Sequence, residues 1–185
     1  MNGFIWIIVI SKMITIASTR FSNTTLEQNM NYRTKYQCCV YGSPQEMSPK
    51  ILPDSLVFMI EMNNDTNKIE GVGLMHNRPL MDKYYKIYTD GNYNRYVYKS
   101  KYHVSRETLL RFNQQLVQSL DYVLFKEKTH LKRGSGFVTV PDKLLFHEKC
   151  NGLNVMKELK TIFASVFDRS NKEDPSLIDR INSVS

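Results

Sequence analysis

The most regular hydrophobic pattern in this chain is a pair of apolar stretches joined by a short polar segment. Residues 56–62 are almost continuously apolar, residues 63–67 are rich in Asn and Asp, and residues 68–76 return with apolar side chains. Two such runs around a polar turn predict a β-hairpin. Gly71 and Gly73 lie inside the second strand, which indicates a bulge, the curvature of a barrel, or a point where another backbone or a ligand approaches closely.

The rest of the chain mixes strand and helix patterns. Strands are predicted where β-branched and aromatic residues concentrate, at residues 13–18, 36–41, 95–104 and 137–140. Helices are predicted where apolar residues recur at helical spacing after capping residues such as Thr24 and Ser105, at residues 24–33, 106–125, 141–145 and 154–167. This order predicts an α+β domain built on a mainly antiparallel twisted sheet or partial β-barrel with flanking helices.

Length and composition favour one domain, since 185 residues with 42% hydrophobic content suffice for a single core. We expect a globular unit at residues 13–168 and a polar tail at residues 169–185. Residues 1–12 are apolar but too short for a stable membrane span, and they lack a preceding positive charge. They are interpreted as a leader or as an extension upstream of a true start at Met13.

The cysteines indicate the compartment. Cys38 and Cys39 are adjacent and Cys150 stands alone, which is a poor disulfide framework. A reducing, intracellular location is therefore expected, and secretion through residues 1–12 is the less favoured alternative.

Positive charge is concentrated in one part of the chain. Residues 83–143 contain twelve Lys or Arg and five Asp or Glu, a net charge of +7 that equals the formal charge of the whole protein. Seven of the eleven tyrosines lie between residues 84 and 102. Cations suit phosphates and flat rings suit unstacked bases, so this window predicts a surface for RNA or DNA.

The alternation in residues 95–104 gives the predicted strand two chemically different faces, because successive side chains point to opposite sides. One face would carry Tyr96, Tyr98, Tyr102 and Val104, and the other Arg95, Lys99, Lys101 and His103. We expect Tyr93, Tyr96 and Tyr98 to stack on bases and Lys99 and Lys101 to contact phosphates. The alternative is that the tyrosines pack on the core.

A second candidate is the cationic glycine loop at residues 130–136. His130, Lys132 and Arg133 would contact phosphates, and the glycines would let backbone N–H groups approach an anion. The loop lacks the Walker spacing, so nucleotide hydrolysis is not supported. The alternative is a solvated loop whose glycines only turn the chain.

Enzyme signatures are weak. The four histidines show no metal-ligand spacing, and neither a nucleophile elbow nor a dinucleotide fingerprint is present. Glu61 and Glu70 are predicted to face each other across the hairpin, which leaves a small hydrolase as a third hypothesis. No catalytic residue, metal or organic cofactor is predicted.

Several segments carry a resemblance. Residues 18–25, 58–64 with 68–75, 94–102 and 130–136 resemble uncharacterised proteins of large double-stranded DNA viruses. The order of elements is also similar to small β-barrels of the PUA, EVE and YTH type, which implies nucleic-acid binding, sometimes with a pocket for a modified base. The only tryptophan is Trp6, so a tryptophan cage cannot be carried over. A viral origin would imply the host cytoplasm or the virion as location.

These observations give three hypotheses. The leading one is a non-catalytic nucleic-acid-binding domain with a basic, tyrosine-rich groove. The second is a virion or host-interaction protein whose basic surface binds an acidic protein partner. The third is the small hydrolase.

Overall fold

The computed structural model describes residues 14–167 and confirms the α+β class. Its strands are β1 Ile14–Phe21, β2 Cys39–Ser43, β3 Leu56–Asn63, β4 Lys68–His76, β5 Tyr96–Ser100, β6 Tyr102–Ser105 and β7 Val138–Thr139. Its helices are α1 Asn23–Tyr36, α2 Arg106–Phe112, α3 Gln114–Phe125, α4 Asp142–Leu145 and α5 Val155–Phe167, with 3₁₀ turns at Gly91–Asn94 and Glu148–Cys150. The predicted leader at residues 1–12 and tail at residues 169–185 lie outside the described residues.

The main sheet has five strands in the order β6-β4-β3-β1-β7. It is mixed, because β1 pairs with β3 in parallel while the other neighbours are antiparallel. Strands β2 and β5 form a separate antiparallel ribbon. Within residues 14–167 the strands do not close into a barrel, so the open-sheet form of the prediction is the correct one.

Each face of the sheet buries its own core. Strand β3 is buried along its whole length, and its alternate residues serve the two sides. Phe58 and Ile60 pack with helices α2, α3 and α5, where the Phe58 and Phe163 rings meet with centroids 5.0 Å apart. Val57 and Met59 face the opposite way, toward the β2–β5 ribbon. Helix α1 covers that second face through residues such as Leu26 and Tyr32.

The predicted hairpin is confirmed, and so is a bulge in it. Glu61 pairs with Gly71, whereas the next residue, Met62, pairs with Ile69. Glu70 therefore has no partner residue in the β3–β4 register. The predicted Glu61–Glu70 pairing across the hairpin is wrong, because this shift of register removes Glu70 from the position opposite Glu61.

The predicted strand at residues 95–104 is two strands in different sheets. The chain turns at Ser100, whose hydroxyl donates to the Leu74 carbonyl at 2.5 Å and accepts from the Tyr102 amide at 3.0 Å. Tyr98 consequently belongs to the core under α1, and Tyr102 belongs to the core under the helices α2, α3 and α5. The single tyrosine face predicted from alternation is not formed.

Two helix boundaries also differ from prediction. Helix α1 is capped by Ser22, whose capping box is completed by Thr25, instead of by Thr24 and Glu27. The predicted helix at residues 106–125 is divided at Asn113, which ends α2 and caps α3 through its side-chain oxygen. No helix within residues 14–167 has the length and apolar character needed to cross a membrane.

Candidate functional site

A pocket of about 380 Å³ opens where β1 ends and α1 begins. Several parts of the chain surround it. They include the β1–α1 junction with Arg20, Ser22 and Thr25 and the hairpin turn with Asn64 and Asp65. The tyrosine segment contributes Tyr88 and Tyr93, and the glycine loop contributes Gly134, Ser135 and Gly136. The volume falls in the range of small-ligand sites.

Arg20 holds the glycine loop against the sheet. Its guanidinium donates hydrogen bonds to the carbonyl oxygens of Leu131, at 3.3 Å, and Gly136. The hairpin turn adds a second anchor, because Asn64 Nδ2 donates to the Lys132 carbonyl at 2.9 Å. Gly134 has φ +109°, a conformation that strongly favours glycine. The loop is thus a shaped wall of the pocket.

Tyr93 also lines the pocket. Its ring meets Tyr88 edge-on, with centroids 6.1 Å apart, and the residue remains 39% exposed. A Cβ on Gly42 would lie 2.1 Å from the Tyr93 carbonyl oxygen, so only glycine at position 42 lets this segment approach β2. Buried Asn94 fixes the same segment by accepting from the amides of Ile87 and Tyr88.

The amino end of α1 forms the floor of the pocket. The Ser22 hydroxyl accepts from the Thr25 amide at 3.2 Å, and the Asp65 carboxylate accepts from the Asn23 amide at 2.7 Å. The pocket therefore offers hydroxyls, a glycine backbone and a tyrosine ring beside one carboxylate, Asp65, and one guanidinium, Arg20. This set suits a neutral polar ring system more than a free anion, because the charges of Asp65 and Arg20 offset each other and Arg20 already donates to two carbonyls of the glycine loop.

The structure separates the predicted tyrosines. Tyr93 lines the pocket together with Gly134 and Gly136. Tyr96 is partly exposed and packs against the core under α1. Tyr98 is only 1% exposed, its ring packs edge-on against Phe137, and its hydroxyl accepts from the Met47 amide. The stacking role predicted for Tyr98 is incompatible with this burial.

The predicted cations are separated too. Lys132 and exposed Arg133 are on the glycine loop, where the Lys132 ammonium donates to Asn67 Oδ1 and half-buried His130 accepts from the Lys132 amide. None of the five residues predicted to contact phosphates lines the pocket itself, namely Lys99, Lys101, His130, Lys132 and Arg133. The Lys99 ammonium stands 5.5 Å from the ring centroid of Tyr85, and that of Lys101 stands 5.4 Å from the ring centroid of Tyr102.

Sequence reasoning missed a buried polar cluster on the α1 side of the sheet. Glu61 is 1% exposed, and its Oε1 accepts hydrogen bonds from Arg33 Nη2 and the Tyr41 hydroxyl. His103 Nε2 lies 3.1 Å from both Arg33 Nη1 and Glu61 Oε1. This nitrogen accepts from Arg33 when it carries no proton and donates to Glu61 when it does.

The electrostatics of this cluster favour ionised Glu61. Burial alone would raise the pKa of the Glu61 carboxyl, but the positive charges and hydrogen bonds of His103 and Arg33 outweigh burial and hold that pKa well below its usual range. Burial would also lower the pKa of Arg33, yet the charge of Glu61 raises it above the ordinary value. The pair is therefore ionised at neutral pH.

Two glycines make room for the cluster. A Cβ on Gly71 would lie 2.7 Å from His103 Nε2, and a Cβ on Gly73 would lie 2.3 Å from the Tyr41 hydroxyl oxygen. The close approach predicted at these glycines is made by side chains of the protein itself. The sequence contained one sign of this cluster, because Glu61 lies within a predicted apolar strand and the opposing strand contains Gly71 and Gly73. In the described part of the chain, no group of three or more His, Cys, Asp or Glu could hold a metal ion.

Comparisons with protein-family models, with curated proteins and with solved structures give no match for this chain. The function therefore has to be inferred from the residues of the site.

Proposed function

We propose that this protein is a non-catalytic nucleic-acid-binding domain whose pocket accepts an unstacked base of a single-stranded segment. The observation that carries the proposal is the shared pocket of Tyr93 and the glycine loop. Tyr93 and Gly134 are 41 residues apart in sequence, and both line one concavity of about 380 Å³. An aromatic ring together with polar backbone and hydroxyl groups supplies what stacking and hydrogen bonding of an extruded base require.

The surroundings of the pocket supply the charge that a phosphate backbone requires. Lys132 and Arg133 immediately precede Gly134 on the same loop, and Arg133 is exposed. Phosphates on either side of a bound base would then lie near these cations instead of near Asp65. Such contacts are sequence-independent and salt-sensitive.

The two other hypotheses receive less support. An acidic protein partner would use the same cations but would leave the Tyr93 pocket without a role. The hydrolase hypothesis required Glu61 and Glu70 as a carboxylate pair, whereas Glu61 bonds to Arg33 and Tyr41, and Glu70 accepts from Asn63. The pocket and loop therefore favour nucleic acid.

The test is a salt titration of binding to a fluorescent single-stranded oligonucleotide, followed by anisotropy. Replacing Lys132 and Arg133 by Gln should reduce the slope of log K against log salt by about 0.7 for each lost phosphate contact. Tyr93→Ala should weaken binding by about 1 to 3 kcal/mol, the usual worth of one stacked base. Wild-type protein that retains no oligonucleotide at about 50 mM salt would overturn the proposal.

A matched control removes one arginine and one lysine from the opposite side of the sheet. Arg111→Gln with Lys157→Gln changes the net charge equally, and both residues are exposed on the helical side. The slope should remain that of the wild type in this control. If both double variants reduced the slope equally, only the net charge of the protein would matter and the loop would not be the site.

A further inference from the structure

A second aromatic and cationic surface lies at the carboxyl end of α1. Tyr32 and Tyr36 are one helical turn apart, and their ring centroids are 4.4 Å apart. The Lys35 ammonium stands 5.2 Å from the Tyr36 ring centroid. Those of Lys83 and Lys99 stand 5.4 and 5.5 Å from the ring centroid of Tyr85. We call this surface the α1 patch, and it consists of Tyr32, Lys35, Tyr36, Lys83 and Lys99 around the buried ring of Tyr85.

The residues of the α1 patch influence one another electrostatically. Burial raises the pKa of Tyr32, and neighbouring Cys38 and Tyr36 raise it further. Hydrogen bonds from the Tyr85 hydroxyl to Asp82 raise the pKa of Tyr85 to about 12, with a smaller contribution from Tyr32. Lys35, Lys83 and Lys99 carry three positive charges and the neighbouring Asp82 carries one negative charge, so the net charge of these residues is +2. Tyr36 is 51% exposed, so its ring is available to a ligand.

Helix α1 connects this patch to the pocket. Its amino end contributes Ser22 and Thr25 to the pocket, and its last residue is Tyr36. Fourteen helical residues extend about 21 Å. Pocket and patch are therefore separated by roughly the length of one helix.

A neighbouring segment runs beside α1 between the same two sites. Tyr85 belongs to the patch and Tyr93 to the pocket. Between them, the Tyr88 hydroxyl accepts from Asn29 Nδ2 and the Thr89 amide donates to Gln28 Oε1, both at 2.9 Å. These bonds, of which the Asn29–Tyr88 bond is buried, hold residues 85–93 along the helix. We call the line along which α1 and residues 85–93 meet the seam.

We propose that this seam is a single track for one strand of nucleic acid, with a base in the pocket and a second base on Tyr36. Lys35, Lys83 and Lys99 would contact the phosphates near that second base. The inference rests on the proposed function and extends it, since it specifies a linear single strand that occupies both ends of α1. Any of the bases can stack on an exposed ring, so binding through Tyr36 would not depend on sequence. Such binding suits a surface that follows a strand more than a pocket selective for one base.

The track makes affinity depend on oligonucleotide length. A trinucleotide reaches only one of the two sites, whereas a strand that spans α1 engages both, and the second contact becomes intramolecular. We expect affinity to rise about tenfold or more once the strand is long enough to bridge them. If the pocket acted alone, a longer strand would gain affinity only because it offers more positions at which one base can enter the pocket.

The experiment measures anisotropy for labelled oligothymidylates of about 3 to 15 nucleotides at fixed low salt. The patch variant combines Tyr36→Ser, Lys83→Gln and Lys99→Gln. Its control combines Phe146→Ser, Arg111→Gln and Lys157→Gln, which removes one exposed ring and two cations from the helical side. The patch variant should bind the trinucleotide like wild type and lose the gain with length, while the control keeps the gain.

The outcomes separate this inference from the proposed function. If the wild type binds no oligonucleotide of any length, both are overturned. If binding depends on Tyr93 but the patch variant retains the full gain with length, only the track is overturned. If polyglutamate of matched charge shows the same gain and displaces the long oligonucleotide equally well, the α1 patch is a site for acidic protein and the track is again overturned.

Discussion

The two faces of the central sheet are built from different chemistry. The face under α2, α3 and α5 is filled with aliphatic and aromatic side chains, such as Phe58, Leu120 and Phe163. The face under α1 buries Asn29 and Glu61 among its apolar residues, and Glu61 bonds to Arg33 of the helix. The buried centre of one face therefore uses non-directional burial, and its Arg106–Asp121 ion pair is partly exposed, whereas the other face adds directional bonds inside its core.

This difference matters because α1 carries both candidate surfaces. Apolar packing tolerates small shifts of a helix when volume is conserved, but a buried ion pair with fixed hydrogen bonds does not. Arg33 meets Glu61, and Asn29 donates to the Val40 carbonyl and the Tyr88 hydroxyl. These bonds fix the rotation of α1, and with it the positions of Thr25 at the pocket and Tyr36 in the patch.

The largest effect is expected from breaking the ion pair. Glu61→Leu leaves the Arg33 charge buried without its partner and should destabilise the fold by about 3 to 5 kcal/mol in urea unfolding. Adding Arg33→Met should recover part of this loss, because apolar residues often replace a buried pair at little cost. Recovery should remain incomplete, since the Tyr41 hydroxyl has also lost its acceptor. If the double variant lost the sum of the stability losses of the two single variants, Glu61 and Arg33 would not be a coupled pair.

On the apolar face, we expect a loss of stability that no second substitution recovers. Phe163→Ala removes a fully buried ring that packs on Phe58 and should also cost about 3 to 5 kcal/mol. Phe146→Ala is the control, because that ring is 74% exposed, and it should change stability by less than about 0.5 kcal/mol. Combined with Glu61→Leu, the Phe163 change should add independently, since the two side chains face opposite sides of the sheet.

A smaller effect is expected at the glycine beneath the polar cluster. Gly73→Ala places a methyl group 2.3 Å from the Tyr41 hydroxyl oxygen and 2.8 Å from Cys39 Sγ, so those side chains must move. We expect a loss of about 1 to 3 kcal/mol in the same unfolding assay. Gly91→Ala is the control, since its nearest neighbour would be Tyr84 Oη at 3.5 Å. Equal stability of the two variants would show that the cluster adapts freely.

Local patterns predicted the apolar architecture well. The hairpin was predicted because two long apolar runs and their turn lie within residues 56–76, and the β4 bounds Lys68–His76 agree with the prediction. The apolar spacing of the last helix likewise marked α5 to within one residue. These elements depend on contacts close in sequence or on a strong periodicity.

The polar face could not be predicted in the same way. Arg33 and Glu61 are 28 residues apart, so the apolar surroundings of Glu61 in the sequence do not identify Arg33 as its partner. The division of residues 95–104 depends on the bond from Ser100 to Leu74 of another strand. Alternation gave the spacing of Tyr96 and Tyr98 but not which side the neighbouring elements cover, so the sequence left open whether Tyr98 stacks on bases or packs on the core, and the structure buries it.

The smallest predicted effect is a difference in acid sensitivity between the faces. The pKa of Glu61 is lower in the fold than in the unfolded chain, so the unfolded state binds a proton first as the pH falls. The stability contributed by ionised Glu61 is therefore complete above its unfolded pKa, near 4.3, and declines below it by up to about 1.4 kcal/mol per pH unit.

Glu61→Gln removes this titration while keeping the side-chain shape, so its stability should fall less steeply than that of the wild type between about pH 5 and pH 3. Phe163→Ala is the matched variant, because it is also destabilised but keeps the carboxyl and should retain the wild-type slope. Urea midpoints measured across this pH range check both expectations. Parallel curves for all three proteins would mean that the pKa of Glu61 is the same in the folded and the unfolded chain, and the ion pair assigned to the α1 face would then contribute no pH-dependent stability.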